Sequence, residues 1–274
     1  MALIQSKKDE HQLTFDDIKH RYILDGNGVP GVTTFIKGGF PVSFQLVNWM
    51  IGQGADYTYE TLIKESTHEG NFIEWPDNDG KKEIIKSAKV AYKKAAEEAA
   101  GIGTVVHAYA YLIETGKQRE ALLLLAEYKD TSQWDRINSA VKKFDEWKKQ
   151  NESQILALEE IVASPTYQFG GKFDRLDNRN GRVILPDYKT SNGFYIDQFI
   201  QLAAYAIAIE EWKGIKVEGL EILRFGKENG EFETLLIDKE SEIDYLKEQA
   251  IICRKTFEFS KSWGKDKRFA FGGK

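Results

Sequence analysis

The chain of 274 residues predicts an α/β (α+β) fold: a central mixed β-sheet flanked by helices, with a helical N-terminal region ahead of it. Three observations carry that expectation. Residues 81–150 are dominated by alanine, lysine, glutamate and leucine, which lose little on entering a helix. From Ile155 the pattern changes to short β-branched and aromatic runs separated by turn residues. Two further helical segments, 197–212 and 240–259, are interleaved with those runs.

Taken in order, residues 20–36, HRYILDGNGVPGVTTFI, read as a hairpin whose two β-rich runs flank the turn signal at 25–28. Residues 43–65 carry helical spacing at Phe44, Val47, Trp49 and Met50. Segment 69–80 reads as a loop, because Pro76, Asp77, Asn78, Asp79 and Gly80 stand together. The helical stretch 81–150 is punctuated by Gly101, Gly103 and Gly116, and Ser132 suits the N-cap of its last helix. Strands are expected at 155–164, 167–176 and 182–188, with a turn at 178–181. An amphipathic helix over 197–212 leads to strands at 217–225 and 232–237 around Glu228-Asn-Gly230. Helix 240–259 closes the order. The implied organisation is an N-terminal hairpin and helical region at 1–100, a core at 101–259 and a basic, aromatic tail at 260–274.

Composition narrows the function classes. A hydrophobic fraction of 42% permits a sizeable core. No apolar run approaches the roughly 20 residues of a membrane span, and the first residues hold no signal core, so a soluble cytoplasmic protein is expected. The single cysteine, Cys253, excludes an internal disulfide and any iron–sulfur cluster held by cysteines, and is expected as a small buried residue of the last helix. The net charge of −5 is unusual for a nucleic-acid enzyme, but the local field decides binding. Lysines 81, 82, 86, 89, 93 and 94 read as a solvated helix face.

Four short elements carry candidate chemistry: Gly103-Thr-Val-Val-His107, Gly170-Gly-Lys-Phe-Asp174, Asp187-Tyr-Lys189 and Gln201-Leu-Ala-Ala-Tyr205. An acid-x-lysine pair is common by chance and recurs at Asp17, Asp79 and Glu146. Asp187 differs in its context, an apolar strand that leads into it and a polar Thr190-Ser191 that follows. Strand alternation turns Asp187 and Lys189 to one side and Tyr188 to the other. A hairpin closed at 178–181 brings Asp174 across from Asp187. Two adjacent carboxylates repel, and a divalent cation relieves the repulsion. His107 can add a nitrogen ligand, and the Tyr188 carbonyl a further oxygen. Taken singly, His107 or Tyr205 would read as an ordinary packed residue; the ordered set reverses that.

The set resembles the PD-(D/E)xK nuclease superfamily, in its RecB-type exonuclease branch, over residues 101–210. In that branch a GxxxH helix, a strand acid, a GxxD strand, a DxK strand and a QxxxY helix follow one another. The matches are Gly103 and His107, Glu159, Gly171 and Asp174, Asp187 and Lys189, and Gln201 and Tyr205. Pro186-Asp187 is not the "PD" of the name; that position is Phe173-Asp174. The resemblance implies a restriction-endonuclease-like core and a metal-dependent DNA exonuclease acting on single strands or ends, with Mg2+ or Mn2+ as cofactor. It implies metal binding by His107, Asp174, Asp187 and the Tyr188 carbonyl, and catalytic assistance from Lys189, with Glu159 as a further acid. Gln201 and Tyr205 would shape the site and touch the DNA strand, with Thr190 and Ser191 beside them. Glu160 is adjacent to Glu159 and faces the other way, and Gln198 ranks below Gln201. The N-terminal segment resembles stand-alone phage nucleases, which implies the cytoplasm of a host cell. A structure-specific or restriction-type endonuclease, a DNA-end-binding module without cleavage, and a helical interaction protein are the alternatives.

Overall fold

A computed structural model describes residues 7–42, 44–69, 72–74, 76–226 and 232–263. In chain order the elements are β1 (Leu13–Asp16), β2 (Arg21–Leu24), β3 (Asn27–Val29), α1 (Val32–Gly39), α2 (Phe44–Glu65), β4 (Thr67–Glu69), β5 (Phe72–Glu74), α3 (Asn78–Ala88), α4 (Ala91–Glu114) and α5 (Gln118–Ala126). There follow α6 (Trp134–Gln150), β6 (Gln154–Ser164), β7 (Phe169–Arg179), β8 (Arg182–Thr190), α7 (Ile196–Lys213), β9 (Gly219–Phe225), β10 (Phe232–Ile237) and α8 (Glu240–Trp263). The turn expected at 228–230 and most of the expected tail, from Gly264 onward, lie outside the described residues.

The chain divides into two compact units, Met1–Pro41 with Gly103–Lys274, and Val42–Ile102. This differs from the division at residue 100 expected above. The N-terminal hairpin joins the sheet unit because its chain is bonded there: Gly170 N–H donates to the Pro30 carbonyl at 3.1 Å, and the Phe35 ring packs tilted against that of Phe169 with centroids 5.0 Å apart. The run Val32-Thr-Thr-Phe-Ile36, read as the second strand of that hairpin, is instead the start of α1. Of the expected second strand only Asn27–Val29 pairs with β2, whose other edge is taken by β1, and burial of Val32, Phe35 and Ile36 on one helical face outweighs their β preference.

In the smaller unit α2 packs on α3, and β4 pairs antiparallel with β5. The Pro-Asp-Asn-Asp-Gly cluster is a helix start rather than a loop, since Asp77 accepts the Gly80 N–H at 2.7 Å as the N-cap of α3. Lys81, Lys82, Lys86, Lys89 and Lys93 are exposed, the solvated face expected of them.

The larger unit is built on a five-stranded sheet of order β10-β9-β8-β7-β6. All neighbours are antiparallel except β8 and β9, which run parallel. A parallel pair needs a crossover, and α7 supplies it. That helix was expected to be amphipathic. It is buried almost all round, with twelve of its 18 residues buried, because α1 and α8 cover the side that faces away from the sheet. Cys253 lies buried in α8, as expected. On α6, which begins at Trp134 with Gln133 rather than Ser132 as its N-cap, Phe144 and Trp147 are buried.

A second buried element is ionic. Arg175 on β7 is 2% exposed and donates to Asp177 at 2.6 Å, to Glu114 on α4 at 2.5 Å and to Ser153 at 2.8 Å. Arg179 bridges Asp177 and Glu221 on β9, and both guanidinium groups lie over the Trp147 ring at 5.3 Å. Desolvated charges are tolerable only when each is paired, as here. Arg175→Met, which keeps the bulk and removes the charge, is expected to lower the unfolding free energy by roughly 3–5 kcal/mol in urea titrations. A loss near the ~0–1 kcal/mol of an exposed ion pair would contradict this account.

Candidate active site

The paired register of β7 and β8 is Asp177↔Ile184, Asn178↔Val183 and Arg179↔Arg182. Continued along the strands, it sets Asp174 opposite Asp187. There a side chain serves in the ladder: the Tyr188 amide N–H donates to Asp174 Oδ2 at 3.1 Å. The carboxylate is thereby fixed to the strand that carries Asp187 and Lys189.

On the other side of β7, the pairs Leu158↔Arg175 and Glu160↔Phe173 place Glu159 opposite Asp174. Glu159 has φ of 49°, a left-handed conformation that costs a non-glycine residue about 1–3 kcal/mol. The two adjacent glutamates are separated by it. Glu160 is ion-paired with Lys213 of α7, whereas Glu159 is ion-paired with Lys172 and approaches the site.

His107 comes from α4. Its Nε2 lies 2.9 Å from the Tyr188 carbonyl oxygen and its Nδ1 lies 3.5 Å from Asp174 Oδ2. The imidazole sits edge-on to the Tyr188 ring at 5.4 Å. That ring is packed in turn against Phe144 and Phe225. His107, Glu159 and Asp174 each present a ligand atom, and these three atoms lie within 4.8 Å of one another. Gly103, one turn before His107, allows the approach of α4 to β8: a Cβ there would stand 2.7 Å from Thr190 Oγ1. Gly101 and Gly103, read as punctuation, both lie inside α4.

The charges are balanced internally. Burial pushes the Asp187 carboxyl up to about 6, Lys189 opposes the shift and Asp174 adds to it. Burial likewise disfavours charge on Asp174, yet His107, Lys189 and the Tyr188 N–H together hold it below the usual carboxylate range. Burial alone would lower His107, but Asp174 outweighs it and raises the imidazole to about 9. Lys189, ion-paired with Asp187 Oδ2, is also raised against the effect of burial, so its side chain is an ammonium at neutral pH. Two carboxylates thus face two cationic donors in a desolvated site. His107, Glu159 and Asp174, with the Asp187 carboxylate and the Tyr188 carbonyl close by, offer oxygen and imidazole donors of the kind that can hold a divalent cation. A divalent cation would take the compensating role that the imidazolium proton plays without it.

The helix element is drawn in by hydrogen bonds. Gln201 Nε2 donates to the Tyr205 hydroxyl at 3.2 Å and to Thr33 Oγ1 of α1 at 3.3 Å. Tyr205 is buried against Gly171, where a Cβ would come within 2.5 Å of its ring. The glycine of GxxD is therefore required by close packing. Thr190 ends β8 and is partly exposed. Ser191 is buried, and its hydroxyl donates to the Gly193 carbonyl at 2.8 Å and accepts from Gln198 at 3.4 Å. Its bonds are those of a loop anchor. Gln198 also accepts the Tyr195 N–H as part of a capping box on α7. Sequence reading missed Thr33, which lay in a segment taken for strand, and Lys172, whose signal is its position two residues before Asp174.

Comparison with known proteins bears on this geometry. A family profile described as the PD-(D/E)XK nuclease superfamily matches residues 85–259. No curated protein matches. Among solved structures, a protein from Eubacterium rectale described as an exonuclease is similar, with 11% identity and a TM-score of 0.42 over 59% of this chain and 68% of its own. An alkaline exonuclease from Laribacter hongkongensis is also similar, with 10% identity and a TM-score of 0.30 over 54% of this chain and 84% of its own. The matched family segment holds every strand of the five-stranded sheet together with His107, Glu159, Asp174, Asp187 and Lys189, and the chain belongs to the PD-(D/E)XK nuclease superfamily.

Proposed function

We propose that this protein is a divalent-metal-dependent DNA exonuclease of the RecB-type branch, acting on single strands or ends with Mg2+ or Mn2+. The observation that carries the reading is the convergence of His107, Glu159 and Asp174 to within 4.8 Å, with Asp187 and Lys189 beside them. His107, Asp174, Asp187 and the Tyr188 carbonyl are the proposed metal ligands, with Glu159 as a further acid. A bound divalent cation supplies an activated water and neutralises charge on the phosphate. The chain's own groups do the rest. The Tyr188 N–H orients Asp174. Lys189 is held as a cation by Asp187 and can stabilise negative charge that develops on the phosphoryl oxygens. Gln201 and Tyr205 are proposed to shape the strand's path, with Thr190 at its edge. Ser191 supports them from the loop rather than from the surface.

Incubation with end-labelled single- and double-stranded DNA and Mg2+ or Mn2+ is expected to shorten the label, with chelator abolishing the reaction. Cleavage of covalently closed circles would favour an endonuclease, and salt-dependent binding without turnover a DNA-end-binding module. Lys189→Ala is expected to remove activity, by about 10²-fold or more, while Mn2+ still binds. Asp174→Ala and Asp187→Ala are expected to remove both. Wild-type turnover in Lys189→Ala would refute the role assigned to that ammonium.

Metal affinity is expected to depend on pH with a definite sign. Below about 9 the imidazole carries a proton that the cation must displace, and below about 6 Asp187 carries a second. Calorimetric Mn2+ affinity should therefore rise about tenfold per pH unit between these values and more steeply below them. An affinity flat across that range would contradict His107 as a ligand.

A further inference from the structure

We propose that Lys172 is a phosphate-binding residue of this site, held by Glu159 until the metal ion engages that carboxylate. The proposal rests on the metal-dependent nuclease reading above.

Lys172 precedes Asp174 by two residues on β7, the spacing at which strand side chains share a side. Its ammonium is ion-paired with Glu159 Oε2. Glu159 in turn offers a ligand atom within 4.8 Å of those of His107 and Asp174. The Lys172 ammonium therefore stands at the rim of the candidate metal position, one carboxylate away from it. Its side chain is 51% exposed, whereas that of Lys189 is 22% exposed and turned onto Asp187. A polyanion approaching from solvent meets Lys172 first. The strained backbone of Glu159 adds a second indication, since left-handed non-glycine residues inside a strand persist where the surroundings impose them.

The two partners of Glu159 differ in strength. A lysine at a half-exposed position gives a weak, screened pair, whereas a divalent cation attracts the same carboxylate with twice the charge. Metal binding thus draws Glu159 inward and releases the ammonium. A lysine so released is a compact cation with three donors, well suited to a backbone phosphate. The arrangement orders the events: metal first, then strand. It also keeps the net charge of the rim from growing more negative in the metal-free protein.

Two measurements on the intact chain separate this role from a structural one. In the first, Mn2+ alone is titrated by calorimetry into wild type, Lys172→Ala and Lys172→Arg. Lys172→Ala is expected to bind Mn2+ as tightly as wild type or tighter, because a competitor for Glu159 is gone. In the second, binding of an end-labelled single-stranded oligonucleotide is followed against NaCl concentration, with Ca2+ in place of Mg2+ to suppress cleavage. Lys172→Ala is expected to bind about fivefold more weakly, with the log–log salt slope reduced by about 1, and Lys172→Arg to restore the slope. Weaker Mn2+ binding by Lys172→Ala would show that the lysine only holds Glu159 in place, and would overturn the proposal. An unchanged salt slope in a variant that still binds Mn2+ would overturn it too, and would leave the nuclease reading intact. A wild-type protein that binds neither Mn2+ nor DNA would remove both.

Discussion

The site depends on one electrostatic constraint: the buried carboxylate of Asp187 and the partly buried carboxylate of Asp174 stand on two neighbouring strands. Burial disfavours charge on both carboxylates, and Asp174 adds to the upward shift of Asp187. Everything close by answers that cost. His107 reaches in from α4, Lys189 folds back onto Asp187, and the Tyr188 amide is spent on Asp174 rather than on a strand carbonyl. The same arrangement suits a divalent cation, because a site that must import positive charge in its absence has the donors to bind it.

The second buried charge system, around Arg175, solves a mechanical problem. His107 lies on a helix and its partners lie on strands, so the distance between α4 and the sheet must be held closely. Glu114 is two turns beyond His107 on α4, and Arg175 is the neighbour of Asp174 on β7. Their ion pair ties together the helix and the strand that carry His107 and Asp174, and Asp177, Arg179, Glu221 and the Trp147 ring enclose it. The aromatic packing of Tyr188 on Phe144 ties α6 to β8 in the same region. Gly103 and Gly171 let the elements approach as closely as these contacts need.

Much of this was legible in the sequence. The order of elements from 155 onward and the approach of Asp174 to Asp187 followed from periodicity, turn residues and strand alternation, which act over a few residues, whereas the motif set came from the family resemblance and the short strands β1, β4 and β5 were not read. The errors were local competitions settled elsewhere. Val32–Ile36 has β-type residues but joins a helix, because one helical face of it completes the core against Phe169. The Asp77 cluster looks like a loop and is a cap. Ser191 looked available to a substrate, yet its hydroxyl closes its own loop.

The sequence by itself determined that Asp187 and Lys189 turn to one side of their strand, because alternation along a strand fixes which side chains share a face, and the resemblance to the family singled out the remaining candidates. The tertiary structure alone supplied what holds the two adjacent glutamates apart, a left-handed residue in β6 and Lys213 on α7. It alone brought Thr33 to Gln201 across 168 residues, and enclosed α7 on both sides. Those outcomes depend on register and on what covers each surface. Both are set by packing between distant segments, which no local pattern encodes.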